Sequence, residues 1–378
     1  MATDVRDLVL AIHADSAETA RRWHELSPTP PACFDETFLF HLYSHHVGAL
    51  AYDAADVLGW RSMFPPFLQT VLSRSGGLSE AVWEAHYAGL VELAERDPKL
   101  IAQCLVVKGA LLGTMYQSKE HRVMGDFDLI IAADKLDMLL NLLRESGYDR
   151  RSDMAYDMQR DIGPSFTGAG LTSMHVWEMP KGWECHVSTG KVGTVECLLP
   201  TPELHIIELL LNAHEHASSW NYALWESDLQ LVRAIDIEVI WEAAGGVDPL
   251  RLWETAVDVG LEAETALGLW VHEQLRGSLP ANWSPLRVVI DAVAPFGDLY
   301  ALPESVDTDE PIRRWPLSVR ERAFHPSRHQ LALDQLPEHQ HTVEFIADIK
   351  AGRVSRRQPT SRIADRARAA LSGISPSV

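Results

Sequence analysis

The sequence predicts an α+β protein in which a small β-sheet core is flanked by N-terminal and C-terminal helical domains. Strand-like apolar runs are concentrated in the middle of the chain, and apolar residues recur at helical spacing on both sides of them. With 378 residues, of which 46% are hydrophobic, the chain is long enough to form two or three cores. We therefore predict N-terminal helices over 1–98, an α/β core over 99–200, a helical bundle over 201–300 and a C-terminal extension with an Arg-rich tail over 301–378.

Charge and cysteine usage narrow the class of protein. The formal net charge of −20 disfavours a nucleic acid as the principal partner, because phosphate backbones are bound by basic surfaces. The sequence has no apolar run of about 18 residues, so neither a transmembrane helix nor a membrane partner is expected. Its four cysteines are scattered without a C-x-x-C pair, and we expect them to be reduced, buried thiols of a cytoplasmic protein.

The first region has the periodicity of helices. Apolar residues recur three and four positions apart in RDLVLAIHADSAETARRWHEL, ETFLFHLYSHHVGALAYDAADVL and SEAVWEAHYAGLVELAER. Prolines in SPTPPA and FPP interrupt this pattern, and a proline breaks a helix because it lacks the backbone N–H. These residues predict a helical preface to the core.

A strand, a turn and a helix are predicted at the start of the core. The strand is predicted over residues 104–107 and ends at Lys108-Gly109. The first part of the helix is predicted over residues 110–116. Such a turn presents backbone N–H groups and the positive end of a helix dipole to a phosphate, and Lys108 adds a mobile cation. Arg122, in the polar loop that follows, can reach a polyphosphate with its planar guanidinium. We therefore expect Lys108, Gly109 and Arg122 to bind phosphate groups.

Two aspartates interrupt the next apolar run, VMGDFDLII. Asp126 and Asp128 are two residues apart, which puts both carboxylates on one face of a strand. Burying either charge without a partner costs on the order of several kcal/mol, so we expect a cation beside them. A simpler interpretation stays open, in which Asp126 caps a turn and Asp128 lies on the solvated face of an edge strand. The amphipathic helix that follows, ADKLDMLLNLLRESGYD, is predicted to end at Gly147.

These motifs together resemble the uncharacterised bacterial nucleotidyltransferase family of the DNA polymerase beta-like superfamily. The resemblance covers residues 105–148, in LVVKGALLGTMY, HRVMGDFDLII and LLNLLRESGYD. It implies a mixed β-sheet core and an enzyme that uses a nucleoside triphosphate. One position departs from the pattern, because many superfamily members have Gly-Ser or Gly-Gly at the phosphate turn, whereas Ala110 follows Gly109 here. Without a side-chain hydroxyl at this turn, Lys108, Arg122 and backbone amides are expected to bind the triphosphate.

The resemblance also implies the metal chemistry. Enzymes of this superfamily use two Mg²⁺ ions, which can lie about 4 Å apart and clamp the attacking and leaving oxygens of an in-line displacement. By the resemblance, Asp126 and Asp128 hold both ions, as Mg²⁺ or Mn²⁺. A third carboxylate, on a neighbouring strand, holds the ion that activates the acceptor.

The predicted third carboxylate is Glu184. The stretch TSMHVWEMPKGWECHVSTG alternates as two strands around a turn at residues 180–182, and Glu184 lies in an acidic-hydrophobic-His element that resembles the family's, with Glu in place of the commoner Asp. Glu184 is thus predicted to be catalytic and a metal ligand. Glu178 and Glu196 remain alternatives, and so does an exposed hairpin whose polar face only meets water.

Helices are predicted after the core. The stretch NAHEHASSWNYALWESDLQLV resembles a helical element of the family, and on that resemblance His214 and Asp228 are candidates for nucleotide or acceptor contacts. A buried hydrogen bond between His214 and Asp228, joining two helices, is an equal alternative. Further helices are predicted beyond residue 236, and the Arg-rich residues 353–368 are predicted to belong to a mobile or loosely docked tail.

Three functions are compatible with these residues. The leading one is an Mg²⁺-dependent nucleotidyltransferase that moves a nucleoside monophosphate from ATP, or another NTP, to a hydroxyl or phosphate of a small molecule or peptide and releases pyrophosphate. The second is a toxin-like enzyme that modifies tRNA or a protein. The third is a non-catalytic nucleotide-binding protein. The intact pair of aspartates disfavours the third, because a decayed site usually loses such a costly pair first.

Overall fold

The structure is a computed structural model that describes residues 4–30, 34–150, 156–161, 171–337, 340, 342–350, 360–374 and 376. The described part of the chain contains one large sheet and many α-helices. The α-helices are α1 (Val5–Leu10), α2 (Ser16–Leu26), α3 (Glu36–Ser44), α4 (Gly48–Val57), α5 (Pro66–Arg96), α6 (Pro98–Ile101), α7 (Gly109–Leu112), α8 (Leu136–Glu145), α9 (Pro202–Ser218), α10 (Trp220–Leu224), α11 (Leu231–Ala243), α12 (Pro249–Asp258), α13 (Glu262–Arg276), α14 (Arg287–Gly297), α15 (Val319–Ala323), α16 (Arg328–Leu333), α17 (Val343–Lys350) and α18 (Ser361–Leu371).

The strands form one mixed sheet and one small hairpin. The large sheet has the order β3-β4-β5-β2-β1-β7-β6, and β8 pairs only with β9. In the large sheet β2 runs antiparallel to β1 and parallel to β5, and β7 runs parallel to β1. The strands are β1 (Leu105–Val107), β2 (Phe127–Ile131), β3 (Asp149–Arg150), β4 (Tyr156–Asp161), β5 (Leu171–Glu178), β6 (Val187–Val192), β7 (Val195–Pro200), β8 (Leu299–Ala301) and β9 (Ile312–Arg314).

The two faces of the large sheet differ in what they carry. Alternate residues of β2, namely Phe127, Leu129 and Ile131, are buried in a core with side chains of α5 and α8. The residues between them therefore point to the opposite face, which places Asp128 there. The centre of the sheet thus has an apolar core on one face and polar side chains on the other.

The predicted hairpin around residues 180–182 is wrong. Strand β5 lies between β4 and β2, whereas β6 lies at the far edge of the sheet and pairs with β7. Residues 183–186 form a 3₁₀ turn instead of continuing β6. Alternation along the sequence shows that a segment is extended, but it does not show which strand it pairs with.

The chain divides into two compact units, the first formed by Met1–Ile206 and Glu238–Gly246 and the second by Ile207–Ile237 and Val247–Val378. The first unit contains the large sheet and the N-terminal helices. In its described residues the second is helical apart from β8 and β9, and buried aromatic residues such as Trp220, Tyr300 and Trp315 form part of its core.

The Arg-rich tail is more ordered than the sequence predicted. Residues 353–359 lie outside the described residues, but Ser361–Leu371 form α18. Arg368 donates to Glu262 and Glu264 of α13, and Ile363 and Leu371 are buried. Apolar burial and these ion pairs hold the helix in place, so this part of the tail is docked and not mobile.

Two further expectations concern the membrane and the cysteines. No described helix is both long and apolar enough to cross a membrane. Cys104 and Cys197 are buried free thiols, as predicted, but Cys185 is exposed because it lies in the 3₁₀ turn. Cys33 lies outside the described residues.

Candidate active site

The two aspartates stand at the start of β2, at the centre of the large sheet. Asp126 immediately precedes the strand, and the exposed fraction of its side chain is 36%. Asp128 lies within the strand and is 3% exposed. The strand between β1 and β5 is not an edge, so the simpler interpretation of Asp128 as a solvated edge residue is wrong.

Two side chains of β5 hold these carboxylates. His175 Nδ1 lies 3.0 Å from Asp126 Oδ2, and Trp177 Nε1 donates to Asp128 Oδ1 over 3.1 Å. The register explains the match, because Asp128 is level with His175 on the parallel neighbour and residues two apart on a strand share a face. His175 and Trp177 of β5 therefore each contact one of the two aspartates.

A buried histidine positions β5. The backbone N–H of Ser173 donates to His86 Nε2 over 3.0 Å, which leaves His86 Nδ1–H to donate to the carbonyl of Val82 over 2.8 Å. Burial lowers the pKa of His86, so its imidazole is neutral and this tautomer suits both bonds. The long helix α5 thereby fixes the strand that carries His175 and Trp177.

Lys108 supplies the cation beside the aspartates. Its Nζ lies 3.3 Å from Asp128 Oδ1 and 5.8 Å from the centre of the Trp177 ring. The backbone of Lys108 has φ 52°, a conformation that residues other than glycine rarely adopt and that costs on the order of 1–3 kcal/mol. The turn between β1 and α7 accepts this strain and holds the ammonium group over the carboxylate.

Each aspartate keeps one oxygen without a protein partner among the described residues. Asp128 Oδ1 accepts from both Lys108 and Trp177, and Asp126 Oδ2 is paired with His175. Asp128 Oδ2 and Asp126 Oδ1 are left to other ligands. Mg²⁺ binds through one or two carboxylates together with waters and phosphate oxygens, so this donor set fits the ion. The part of the chain that the structure describes holds no group of three or more His, Cys, Asp or Glu side chains suited to a metal.

Burial and the neighbouring cations act on both carboxyl groups. Burial raises the pKa of Asp128 above its ordinary value, Lys108 counteracts part of that rise, and the charge of Asp126 adds to it. Burial also acts to raise the pKa of Asp126, but the hydrogen bond with His175 and the charge of Lys108 more than offset it, so the pKa lies below its ordinary value. The two pKa shifts run in opposite directions, and a cation beside the pair favours the charged form of both carboxylates.

Gly109 and Arg122 lie close to the aspartates along the chain. Gly109 begins α7, and a Cβ atom there would be 2.9 Å from Met124 Cγ, so packing alone requires glycine at this position. Arg122 ends a 3₁₀ turn over residues 119–121, is half-buried, and donates to the carbonyl of Val123. Phosphate binding by Lys108, Gly109 and Arg122 stays a prediction.

Glu184 does not lie on a strand. It is an exposed residue of the 3₁₀ turn at residues 183–186, so the predicted alternation of WECHVS is wrong. The backbone carbonyl of His186, two residues later, accepts a hydrogen bond from the N–H of Thr201. Thr201 follows β7 at the same end of the sheet at which Lys108 follows β1. Three strand spacings, about 14 Å, separate β6 from β2. The role of Glu184 as metal ligand stays a prediction.

The alternatives Glu178 and Glu196 are disfavoured by their register. Glu178 is two residues from Val176, which is buried in the core, so its side chain points away from the face that carries Asp128. Leu198 is level with Leu105, and from this register Glu196 is four residues from the level of Asp128, or about 13 Å along the strand.

Replacing Glu184 by glutamine tests its role directly. If the carboxylate acts only on the acceptor side, Mg-NTP binding stays nearly unchanged, while turnover falls by roughly a hundredfold, the scale of losing a group that activates a nucleophile. Calorimetry and pyrophosphate release measure the two quantities. Glu196→Gln is the control, because Glu196 is exposed and paired only with Lys191 among the described residues. Wild-type turnover of Glu184→Gln would remove Glu184 from the site.

Asp228 is paired with two arginines, and its predicted contact with nucleotide or acceptor stays a prediction. Its side chain is fully buried in the second unit, 3.1 Å from both Arg322 Nε and Arg328 Nη1. The alternative of a hydrogen bond to His214 is also not seen among the described residues. His214 is 4% exposed, and burial lowers its pKa to about 4. A contact of His214 with nucleotide or acceptor stays a prediction.

His175 and Trp177 are the site residues that the sequence interpretation missed. Their signal was present in TSMHVWE, where polar and aromatic residues alternate with the apolar residues Met174 and Val176. The sequence predicts only that both residues belong to a strand, because nothing in it shows that this strand lies beside the aspartates.

Comparison with known proteins gives a family match and a distant structural likeness. A family model described as "Uncharacterised nucleotidyltransferase" matches residues 35–277. No curated protein matches the sequence. The crystal structure of an antigenic nucleotidyltransferase-like protein from Paracoccidioides brasiliensis is similar at 16% identity, over 42% of this chain and 76% of that one, with a TM-score of 0.32, a distant likeness that says nothing of function.

Proposed function

We propose, because this chain belongs to the uncharacterised nucleotidyltransferase family, that it transfers a nucleoside monophosphate from ATP or another NTP to a small molecule or peptide, in an Mg²⁺-dependent reaction that releases pyrophosphate. The observation that carries the proposal is the hydrogen bonding of the two aspartates. Protein donors hold one oxygen of each carboxylate, and the other oxygen of each has no protein partner among the described residues.

Different residues of this chain would bind the metal, orient its ligands and stabilise negative charge in the proposed reaction. Asp126 and Asp128 would hold Mg²⁺ through their unpartnered oxygens, and His175 and Trp177 keep both carboxylates in orientation. When bound, Mg²⁺ would supply Lewis-acid stabilisation of the charge that develops on the phosphate oxygens. Lys108 and Arg122 would add positive charge where pyrophosphate departs.

Lys108 has two uses in this proposal. Without nucleotide, its ammonium group offsets the charge of the buried Asp128 carboxylate. Its side chain is flexible and 24% exposed, so the ammonium group can turn to a triphosphate when that ligand arrives. Trp177 Nε1 then remains as the donor that keeps Asp128 oriented.

Titration with a non-hydrolysable ATP analogue tests the proposed function. Binding measured by calorimetry is expected to be strong with Mg²⁺ and weak with EDTA, because the triphosphate and the carboxylates are both negative. Purified protein incubated with each of the four NTPs then shows which one is preferred. Metal-independent binding, or no binding of any NTP, would contradict the proposal.

Replacing Trp177 by phenylalanine isolates the orienting bond. Phenylalanine keeps the aromatic ring but cannot donate to Asp128 Oδ1, and losing a hydrogen bond that orients a metal ligand weakens metal binding by about tenfold. The affinity for Mn²⁺, followed by electron paramagnetic resonance of the free ion, is the measurement. Trp225→Phe is the control, because this tryptophan is similarly exposed but lies in the second unit. Equal Mn²⁺ affinity in wild type and Trp177→Phe would show that the bond does not matter.

A further inference from the structure

An apolar cavity of about 230 Å³ lies in the first unit, beside the segment that leads into β2. Helices α3, α4 and α5 and the segment 120–124 enclose it, and its apolar wall includes Leu42, Leu72, Leu78, Val82, Val123 and Met124. We propose that this cavity binds the acceptor, and that the acceptor is a small apolar compound that carries a protonated amine and a hydroxyl.

Glu120 supplies the charge that selects an amine. Its half-buried carboxylate lines the cavity, and no cation pairs with it among the described residues. The neighbouring ammonium group of Lys119 is engaged elsewhere, with Glu84 and over the Trp83 ring at 3.9 Å. The carboxylate packs against α5 at Gly76, where a Cβ atom would be 3.0 Å from Glu120 Oε2. Gly76 thus leaves room for a carboxylate that has no cationic partner among the described residues.

His121 provides a second unsatisfied polar group at the cavity. Its side chain is 3% exposed, and its Nε2 is 2.7 Å from Asp53 Oδ2. Within the described part of the chain, nothing donates to or accepts from His121 Nδ1. A buried polar atom without a partner is costly, and this one belongs to a residue that lines the cavity.

The cavity lining also disfavours a negatively charged ligand. Neither lysine nor arginine is found among the described residues that line the cavity. The hydroxyls of Ser75 and Ser79 donate to carbonyls of their own helix, so their free lone pairs face a ligand as acceptors. The carboxylate of Glu120 would repel a carboxylate or phosphate, whereas an ammonium group would pair with it.

Size and position connect the cavity to the proposed chemistry. An apolar cavity of about 150 Å³ can hold benzene, so this volume admits one aromatic ring with a short chain. Met124 lines the cavity and packs against Gly109, and Asp126 is two residues further on, within about 7 Å along the backbone. A ligand seated here would therefore lie beside the segment that leads to Asp126.

The identification of the ligand as acceptor rests on the proposed function. In that reaction the acceptor hydroxyl oxygen forms a bond to the α-phosphorus, and the bond from the α-phosphorus to the bridging oxygen of the β-phosphate breaks. Pyrophosphate leaves with that electron pair, and the hydroxyl proton passes to water. The recognition of an apolar ammonium compound needs none of these steps, so it can be tested without nucleotide.

Three matched probes test the cavity in the full-length protein: 2-phenylethylammonium, 2-phenylethanol and 3-phenylpropanoate. Ligand-observed NMR titrations are expected to rank their affinities in that order. Glu120→Gln should weaken binding of the ammonium compound by about threefold to fivefold, the scale of one partly exposed charge pair, and leave binding of the alcohol unchanged. Ala49→Phe, which fills the cavity from α4, should abolish binding of both. Glu84→Gln is the control, because Glu84 does not line the cavity.

The outcomes separate this inference from the proposed function. The inference is overturned if no probe binds, if the carboxylate binds as well as the ammonium compound, or if Glu120→Gln leaves the ammonium affinity unchanged in a protein that melts like the wild type. Ammonium binding without any Mg-NTP binding would keep the cavity assignment and overturn the proposed function. Mg-NTP binding that is unaffected by Glu120→Gln would show that the two sites are distinct, as expected.

Discussion

Asparagine in place of Asp126 or Asp128 is expected to lower pyrophosphate release by about a thousandfold or more. Each substitution removes the charge of a carboxylate that would hold Mg²⁺, and a bound metal contributes several kcal/mol to stabilising transition-state charge. Nucleotide turnover with saturating Mg-NTP is the measurement. Asp134→Asn, at an exposed aspartate just after β2, is the matched control and should turn over as the wild type does.

Thermal melts decide whether a loss of turnover is chemical or structural. Burial raises the pKa of Asp128, so its charge is unfavourable in the folded protein without metal. Asparagine keeps an oxygen that can accept from Trp177, and removing one of two neighbouring like charges is expected to leave stability unchanged or raised. Wild-type pyrophosphate release from either variant would show that the aspartates do not hold the catalytic metal.

Methionine in place of Lys108 is expected to produce the second largest effect. Methionine keeps a flexible apolar stem near Trp177 but removes the ammonium group from Asp128 and from the proposed triphosphate. The apparent KM for the triphosphate should rise about tenfold, and kcat should fall as well if the contact strengthens in the transition state. Steady-state kinetics with varied Mg-NTP separates the two parameters.

A second lysine provides the control for this substitution. Lys135 follows β2 in a 3₁₀ turn and is hydrogen-bonded to Gln103. Lys135→Met removes the same charge from the same unit of the protein and should leave both kinetic parameters unchanged. Unaltered triphosphate affinity in Lys108→Met would place the nucleotide away from the turn between β1 and α7.

Local sequence patterns predicted the centre of the site, because its residues are close along the chain. The strand ending at Lys108 and the strand carrying Asp128 are antiparallel neighbours, with Val107 level with Asp128. The predicted α+β class, with strands in the middle of the chain and helices on both sides, is confirmed. Short-range periodicity and turn residues determine these features, so a single sequence contains enough information to predict them.

Long-range pairing explains what the sequence interpretation missed. Trp177 meets Asp128 only because β5 lies beside β2, and the chain then crosses to the far edge of the sheet before β6 begins. Asp228 is likewise held by Arg328, which follows it by 100 residues. Local spacing shows neither the strand order nor an ion pair between distant residues, so neither could be predicted from the sequence.

The most direct test of the proposed metal site is an anomalous-scattering map from crystals grown with Mn²⁺ and a non-hydrolysable ATP analogue. The account predicts a peak at coordination distance, about 2 Å, from Asp126 Oδ1 and Asp128 Oδ2, with the triphosphate beside Lys108. His175 and Trp177 are expected to keep their contacts to the other two oxygens. A bound analogue with no peak at the aspartates, or with the metal held by other residues, would contradict the account.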